Sequence, residues 1–252
     1  MIAPRNRVVQ LSSFGDPERL EVVDAPLPSA GLGEVRVRVL ASSLNYTEVL
    51  IRRHLYPQTM RRRPPFVLGY DAVGEIDQLG DGVSGFQLGD RVADMTVVGS
   101  NATYRTLRAN DVARVPVGVD AAEAATLILS WTTAYQLLHR AARVQRGQRV
   151  LVHGAAGAVG QALLALGRLA GLELWGTARG EHMARVRELG ATPIDYNVRT
   201  SRASCQADST SSSTASARRA VAARWQRSSA AACSAPMVIR RACRRSVACS
   251  PC

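Results

Sequence analysis

The amino-acid sequence predicts an α/β protein in two parts, a mostly β domain followed by an incomplete doubly wound parallel sheet. Alternating apolar residues and glycine-rich turns fill the first 125 or so residues. Residues 149–160 then form an apolar strand that passes through small residues into a helix. After about residue 199 Ser, Ala, Arg and Cys dominate, which predicts a disordered tail because little apolar surface can offset the ordering of the backbone.

Three strands define the predicted β domain. Residues 34–40 place three valines on one face and two arginines on the other, as in a half-buried strand. Residues 73–79 and 91–98 are predicted as two more strands. The glycines at 80–82 and 85–89 supply turns between them, since glycine tolerates positive φ angles.

Two helices are predicted where the β domain passes into the α/β domain. Asp120 can cap a helix over residues 121–127, because an aspartate oxygen accepts hydrogen bonds from the first free amides. A second helix is predicted over residues 132–143. Gly147 then precedes the strand that begins the parallel sheet.

The strand, turn and helix of residues 149–160 are typical of a dinucleotide phosphate site. Gly157 is predicted to allow the tight turn after the strand, and Gly160 to let the helix pack close to the sheet. Ala155 stands at the first glycine of the usual fingerprint. The free amides at the helix start and the positive end of the helix dipole would face the phosphates. Small residues also mark ordinary strand-to-helix turns, which is the alternative interpretation.

A second strand, predicted over residues 172–177, completes a β-α-β unit and would end beside the adenosine ribose. An NAD site favours a carboxylate at that point, whereas this chain has Ala178 and Arg179. A guanidinium there can bind a 2′-phosphate, so NADPH is predicted rather than NADH. A further helix over 181–189 and a third strand beginning at 194–196 continue the pattern.

Charge and cysteine are concentrated at the end of the chain. The 252 residues carry a net charge of +12 with no lysine; residues 1–199 hold 23 Arg against 19 acidic residues, and residues 200–252 hold 9 Arg against one Asp. All five cysteines lie in the second segment, without a paired zinc-binding pattern. No signal peptide or apolar stretch of about eighteen residues is evident, so a cytoplasmic protein with no membrane partner is expected.

The residues also resemble a known family. Residues 68–76 read LGYDAVGEI, and the series continues through residues 79–83 and 89–92. This spacing is similar to that of the zinc-independent quinone oxidoreductase branch of the medium-chain dehydrogenases/reductases, over roughly residues 7–197. The resemblance implies an N-terminal GroES-like catalytic β domain in residues 1–125, a partial Rossmann NADPH-binding domain in 126–198, and a low-complexity basic tail in 199–252.

The resemblance also implies an activity, namely NADPH-dependent reduction of a quinone or of the activated C=C bond of an α,β-unsaturated carbonyl compound, in a cleft between the two domains. No metal is expected. Zinc-using relatives carry a cysteine where this chain has Asn45, and a His-Glu pair where it has Tyr70 and Asp71, so the soft ligands that zinc prefers are missing.

Three residues are predicted to be catalytic by this resemblance. Asn45 and Tyr46 would line the nicotinamide side, and Tyr56 would be the acid, because a phenol can donate a proton to a developing enolate. Each has a simpler alternative: the tyrosines as half-buried aromatic residues and Asn45 as a turn residue. The predicted coenzyme contacts are Thr133, Ala155, Ala156, Gly157, Ala158, Val159, Gly160, Thr177, Ala178, Arg179 and Tyr196.

Three other features of the sequence are not assigned to the site. His54 replaces a glycine common in the family, Arg61–Arg63 are interpreted as a solvated run, and His153 as a packed strand residue. An ordinary helix residue is the alternative interpretation of Thr133.

A complete nucleotide domain of this type has six parallel strands, and this sequence supplies three. The first strand would therefore expose an unpaired apolar edge. We expect a truncation or reading-frame change near residue 198, with activity reduced or lost, and loss of the half through which family members form homodimers. The alternatives are a non-catalytic cofactor-binding scaffold and a protein whose basic tail binds nucleic acid by charge, which is disfavoured because Trp225 is the tail's one aromatic residue.

Overall fold

The computed structural model describes residues 5–197 and the backbone of Arg240–Arg241. The contacts divide the chain into two compact units, residues 1–129 and 130–252, with the boundary inside one helix. The boundary predicted from the sequence lies between residues 125 and 126, four residues earlier in the chain. The predicted disorder of the tail, apart from the two arginines, lies outside the described residues.

The first unit contains two antiparallel sheets. Its eight strands are β1 Asn6–Leu11, β2 Leu20–Ala25, β3 Glu34–Ser42, β4 Phe66–Val67, β5 Asp71–Leu79, β6 Arg91–Met95, β7 Tyr104–Arg108 and β8 Val112–Arg114. They pair in the orders β2-β1-β4 and β7-β3-β5-β6-β8. The short helix α1, Tyr46–Arg52, follows β3. The predicted β domain is confirmed.

The alternation predicted for residues 34–40 is present in β3. Val35 and Val37 are buried and pack with Ile76 and Val92 in one apolar cluster. The third predicted strand is shorter than expected, because β6 ends at Met95 and the chain then turns. The Thr96 hydroxyl donates to the Val98 carbonyl at 3.0 Å across a bend, and Gly99, just beyond the predicted strand, has a φ of 102°, far from strand values.

The second unit carries the parallel sheet. Its strands β9 Arg149–Val152, β10 Glu173–Ala178 and β11 Thr192–Asp195 pair in parallel in the order β11-β10-β9. Helix α3, Ala158–Leu169, joins β9 to β10, and helix α4, Met183–Glu188, precedes β11 after a 3-10 turn over Gly180–His182. These elements confirm the doubly wound arrangement in the described residues.

Two predictions about elements are wrong. The two helices predicted over 121–127 and 132–143 are one helix, α2, Ala121–Tyr135, which continues as a π-helical segment over Gln136–Ala141. No glycine or proline interrupts this stretch, so the chain has no reason to break. The predicted unpaired edge of β9 is also wrong, since β12, Arg240–Arg241, pairs with it antiparallel at Leu151 and Val150.

The predicted cap of α2 is confirmed. One carboxylate oxygen of Asp120 accepts hydrogen bonds from the amides of Ala122 and Glu123, at 2.9 and 3.1 Å. Within the described residues, no helix has the length and apolar character needed to cross a membrane.

Candidate functional site

The turn between β9 and α3 is built differently from the sequence interpretation. Gly154, not Gly157, has the left-handed backbone, with φ of 66°, while Gly157 has φ of −74° and caps α3. The tight turn therefore needs glycine at 154, and the role assigned to Gly157 is corrected. The side chain of Thr177 on β10 fixes this turn, because its hydroxyl lies 3.2 Å from His153 Nδ1 and accepts from the Gly154 amide at 3.3 Å.

Gly160 has the role the sequence predicted. A Cβ atom there would lie 2.3 Å from the Gly154 carbonyl oxygen and 2.8 Å from Ala155 Cα, closer than atoms can approach. The helix can pack against the turn only because residue 160 has no side chain. Ala155 is fully buried in the core of this unit, and Ala156 uses its carbonyl to accept from Gln161 Nε2 at 2.8 Å.

The first turn of α3 presents free donors. The amides of Ala158, Val159 and Gly160 precede the first intrahelical hydrogen bond, and Gly157 has no side chain that could cap them. Gln161 is the first residue of the helix whose amide is paired, to the Gly157 carbonyl at 2.8 Å. Such a helix start is an anion site by its donors and its dipole, which fits the diphosphate of a dinucleotide.

The end of β10 places a cation beside this turn. Arg179 is exposed and its Nε donates to the Tyr196 hydroxyl at 2.9 Å, which raises the pKa of the guanidinium above its usual value. Thr177 and Ala178, both predicted contacts, are 6% and 2% exposed. Two acids are close: Glu181 also raises the pKa of Arg179, and a carboxylate oxygen of Asp195 lies 3.1 Å from where a Cβ of Gly180 would be.

In the first unit, the predicted acid Tyr56 is paired with a second tyrosine. The two hydroxyl oxygens of Tyr56 and Tyr70 lie 2.8 Å apart, and the rings meet edge to face with centroids 6.0 Å apart. Tyr70 is 7% exposed, and Tyr56 is half-buried against the same apolar cluster.

Asn45 is the N-terminal cap residue of α1, and its side-chain amide belongs to a polar network. Its Nδ2 donates to Ser43 Oγ at 2.7 Å and to Asp71 Oδ2 at 3.2 Å, while the Ser43 hydroxyl also donates to Asp71. Its backbone amide donates to Glu48 at 2.6 Å. Both hydrogens of the side-chain NH2 group are therefore engaged, which favours the simpler structural interpretation of Asn45.

Two acids in this network were missed by the sequence analysis as site residues. Asp71 is fully buried and Glu48 is 5% exposed, and burial raises the pKa of each, although hydrogen bonds oppose the shift. Asp71 opens a strand whose next residues are apolar, and Glu48 stands three residues after a cap residue, so both signals were present in the sequence.

The two remaining predicted residues lie on helices. Tyr46 begins α1 and is 56% exposed. Thr133 lies in α2, half-buried. Across residues 5–197, the structure has no group of three or more His, Cys, Asp or Glu side chains that could hold a metal ion.

Comparison with known proteins places the chain in a family. Residues 31–119 match the model of the alcohol dehydrogenase GroES-like domain. The quinone oxidoreductase of Rattus norvegicus is 36% identical over 179 residues, which are 69% of this chain and 53% of that protein. A quinone oxidoreductase of Pseudomonas syringae superposes with a TM-score of 0.72 at 33% identity, over 78% of this chain and 60% of that one. The chain belongs to the medium-chain dehydrogenase/reductase superfamily.

Within this superfamily the chain lies in the quinone oxidoreductase-like branch, as its sequence resemblance predicted. A mycocerosic acid synthase-like polyketide synthase of Mycobacterium tuberculosis is 39% identical over 173 residues, 69% of this chain and 8% of that protein. A mycobacterial protein solved in complex with NADPH superposes with a TM-score of 0.68 at 31% identity, over 76% of this chain and 59% of that one. The chain spans little more than half the length of the quinone oxidoreductases it matches.

Proposed function

We propose that this chain is an NADPH-dependent oxidoreductase that reduces a quinone or the C=C bond of an α,β-unsaturated carbonyl compound without a metal. The observation that carries the proposal is the pairing of a free helix start with an exposed guanidinium at the end of β10. The quinone oxidoreductases among the relatives and the enoyl reductases among the similar structures support the reaction type. The similar protein solved with NADPH supports the coenzyme.

The residues of the second unit fit the coenzyme. The amides of Ala158, Val159 and Gly160 would bind the diphosphate, and Arg179, held by Tyr196, would bind the 2′-phosphate. Ala178 puts no carboxylate at the end of the strand, where one would repel that phosphate. When bound, NADPH supplies the hydride.

The residues of the first unit would act on the acceptor. Tyr56 would donate its phenolic proton to the enolate or quinone oxygen that gains negative charge, and Tyr46 would contribute an exposed aromatic surface. Asn45, whose side-chain amide hydrogens are engaged by Ser43 and Asp71, would hold the start of α1, where Tyr46 lies. The proton transfer from Tyr56 does not need a metal ion.

Two measurements on the purified full-length chain test the proposal. Isothermal titration calorimetry should show NADPH binding at least about tenfold more tightly than NADH, because a charged hydrogen bond contributes about 1.5–3 kcal/mol. Loss of NADPH absorbance should then accelerate when a benzoquinone or an α,β-unsaturated ketone is added. Binding without any acceptor-dependent oxidation would leave a coenzyme-binding protein and refute the reductase function; no binding of either coenzyme would refute both.

A further inference from the structure

The hydroxyl of Tyr70 is a buried polar group that no predicted role explains. Tyr70 is 7% exposed and its ring packs in an apolar cluster with Leu11, Ile51 and Leu68. A buried hydroxyl without a hydrogen-bond partner destabilises the folded state by about 1–3 kcal/mol. The Tyr70 hydroxyl has such a partner in the hydroxyl of Tyr56, whose oxygen lies 2.8 Å away.

The backbone is fixed both before and after Tyr70 along the chain. Gly69 has a φ of 104°, and a Cβ there would lie 2.2 Å from the Asn101 amide nitrogen, so the chain passes against its neighbour with no space to shift. The Tyr70 carbonyl accepts from the Thr96 amide at 2.8 Å, and β5 begins at the next residue. The Tyr70 side chain therefore extends from a rigid backbone at the start of β5.

Tyr56 is held by a short connection instead of a sheet. It lies between α1 and a single 3-10 turn, Pro57–Thr59, and its carbonyl accepts from the Thr59 amide at 3.0 Å and from the Thr59 hydroxyl at 3.1 Å. These contacts fix the backbone of Tyr56. The edge-to-face contact with Tyr70, at 80° between the rings, sets the direction of the phenol.

We propose that Tyr70 is a positioning residue for Tyr56, donating its hydroxyl hydrogen to the Tyr56 oxygen so that the Tyr56 proton is directed at the substrate. This inference rests on the proposed reductase function. Either hydroxyl of the pair can donate, but a proton that Tyr56 shares with Tyr70 is not available to an acceptor.

The proposed step is balanced. The O–H bond of Tyr56 breaks, its proton joins the substrate atom that has become basic after hydride addition, and the electron pair stays on the Tyr56 oxygen. The hydrogen bond from Tyr70 then meets a phenolate, and hydrogen bonds to charged acceptors are about twice as strong as neutral ones. Water returns the proton to Tyr56 after product release.

Steady-state kinetics of four variants test the positioning role. Tyr70→Phe keeps the ring and removes the hydroxyl, and it should lower kcat by about 10- to 100-fold with KM changed less than about twofold. In a Tyr56→Phe background the same change should have no further effect on kcat, because the oxygen it acts on is gone. Tyr104→Phe is the matched control on β7, where the ring packs under Arg36, and should leave both constants unchanged.

A spectroscopic measurement tests the hydrogen bond without turnover. In protein labelled with carbon-13 at the tyrosine Cζ atoms, Tyr70→Phe should move the Tyr56 resonance, whereas Tyr104→Phe should not. An unmoved resonance, or equal kcat for wild type and Tyr70→Phe, overturns the positioning role and leaves the reductase function intact. Additive losses in the double variant also overturn it, since they indicate a general effect on folding. A wild-type chain that reduces no acceptor overturns the proposed function and this role together.

Discussion

Arg179 and Tyr196 are seventeen residues apart in sequence but meet because β10 and β11 are parallel neighbours. Ala178 pairs with Asp195 across the two strands, so the next residue of each chain segment emerges at the same edge. The hydrogen bond from Arg179 to Tyr196 uses Nε and is the only hydrogen bond of this guanidinium within residues 5–197. Its two terminal nitrogens are the donors suited to a phosphate.

At this residue, Arg179→Ala should weaken NADPH binding by about 10- to 100-fold and NADH binding by less than about twofold, because only NADPH carries the 2′-phosphate. Calorimetry with both coenzymes measures the difference. Arg149→Ala is the matched control, since Arg149 is also exposed but stands at the opposite, amino end of β9. An equal loss for the two coenzymes would contradict the 2′-phosphate assignment.

At the scale of elements, the sequence indicated the parallel strands and the start of α3, because two short apolar runs separated by small residues and an apolar helix are typical of a β-α-β unit. It could not assign the turn correctly, because Gly154 and Gly157 both stand in a small-residue run and only the backbone angles distinguish them. The polar network around Asn45 and the pairing of Tyr56 with Tyr70 depend on contacts between residues up to 28 apart in sequence, which local patterns do not report.

The turn itself can be tested with two glycines three residues apart. Gly160→Ala adds a methyl group where the Gly154 oxygen would be 2.3 Å away, so we expect a loss of roughly 1–3 kcal/mol in unfolding free energy and weaker NADPH binding. Gly157→Ala adds the same methyl at 3.3 Å from that oxygen, with an ordinary φ, and should cost less. Urea unfolding of both variants measures the difference, and equal losses would argue against close packing at residue 160.

At the scale of the whole molecule, the described chain carries three buried acids in the first unit, Glu48, Asp71 and Asp94. Burial raises the pKa of Asp94 from 3.8 to about 6, although Arg105 lies 3.0 Å away and opposes the shift. Asp71 raises the pKa of both other acids, and neither Asp71 nor Glu48 has an ion pair within residues 5–197.

The oligomeric state of the chain and the role of its tail stay predictions.

These acids should give the first unit an unusual pH dependence. Because the folded state holds the Asp94 proton to a higher pH than the unfolded chain, the stabilisation is complete below pH 3.8 and is lost as the pH rises through about 6. Relative to Asp94→Asn, wild type should therefore lose about 3 kcal/mol of unfolding free energy between about pH 4 and pH 7. Denaturant unfolding across that range measures it.

The control for this prediction is Asp77→Asn, which removes an aspartate from the Arg36 ion pair nearer the surface. It separates the effect of burial from the loss of any ion pair. A difference between wild type and Asp94→Asn that stays constant across the pH range would show that Asp94 is ionised throughout.

The burial of Ala178 restricts how the proposed preference for NADPH could be re-engineered. An NADH site usually carries an acid at the tip of the second strand. A carboxylate at position 178, however, would lie in an apolar interior and lack a partner there. Redesign must act at position 179, whose side chain already faces water. Substitution of that single arginine by glutamate is thus the most economical route towards a chain selective for the unphosphorylated coenzyme.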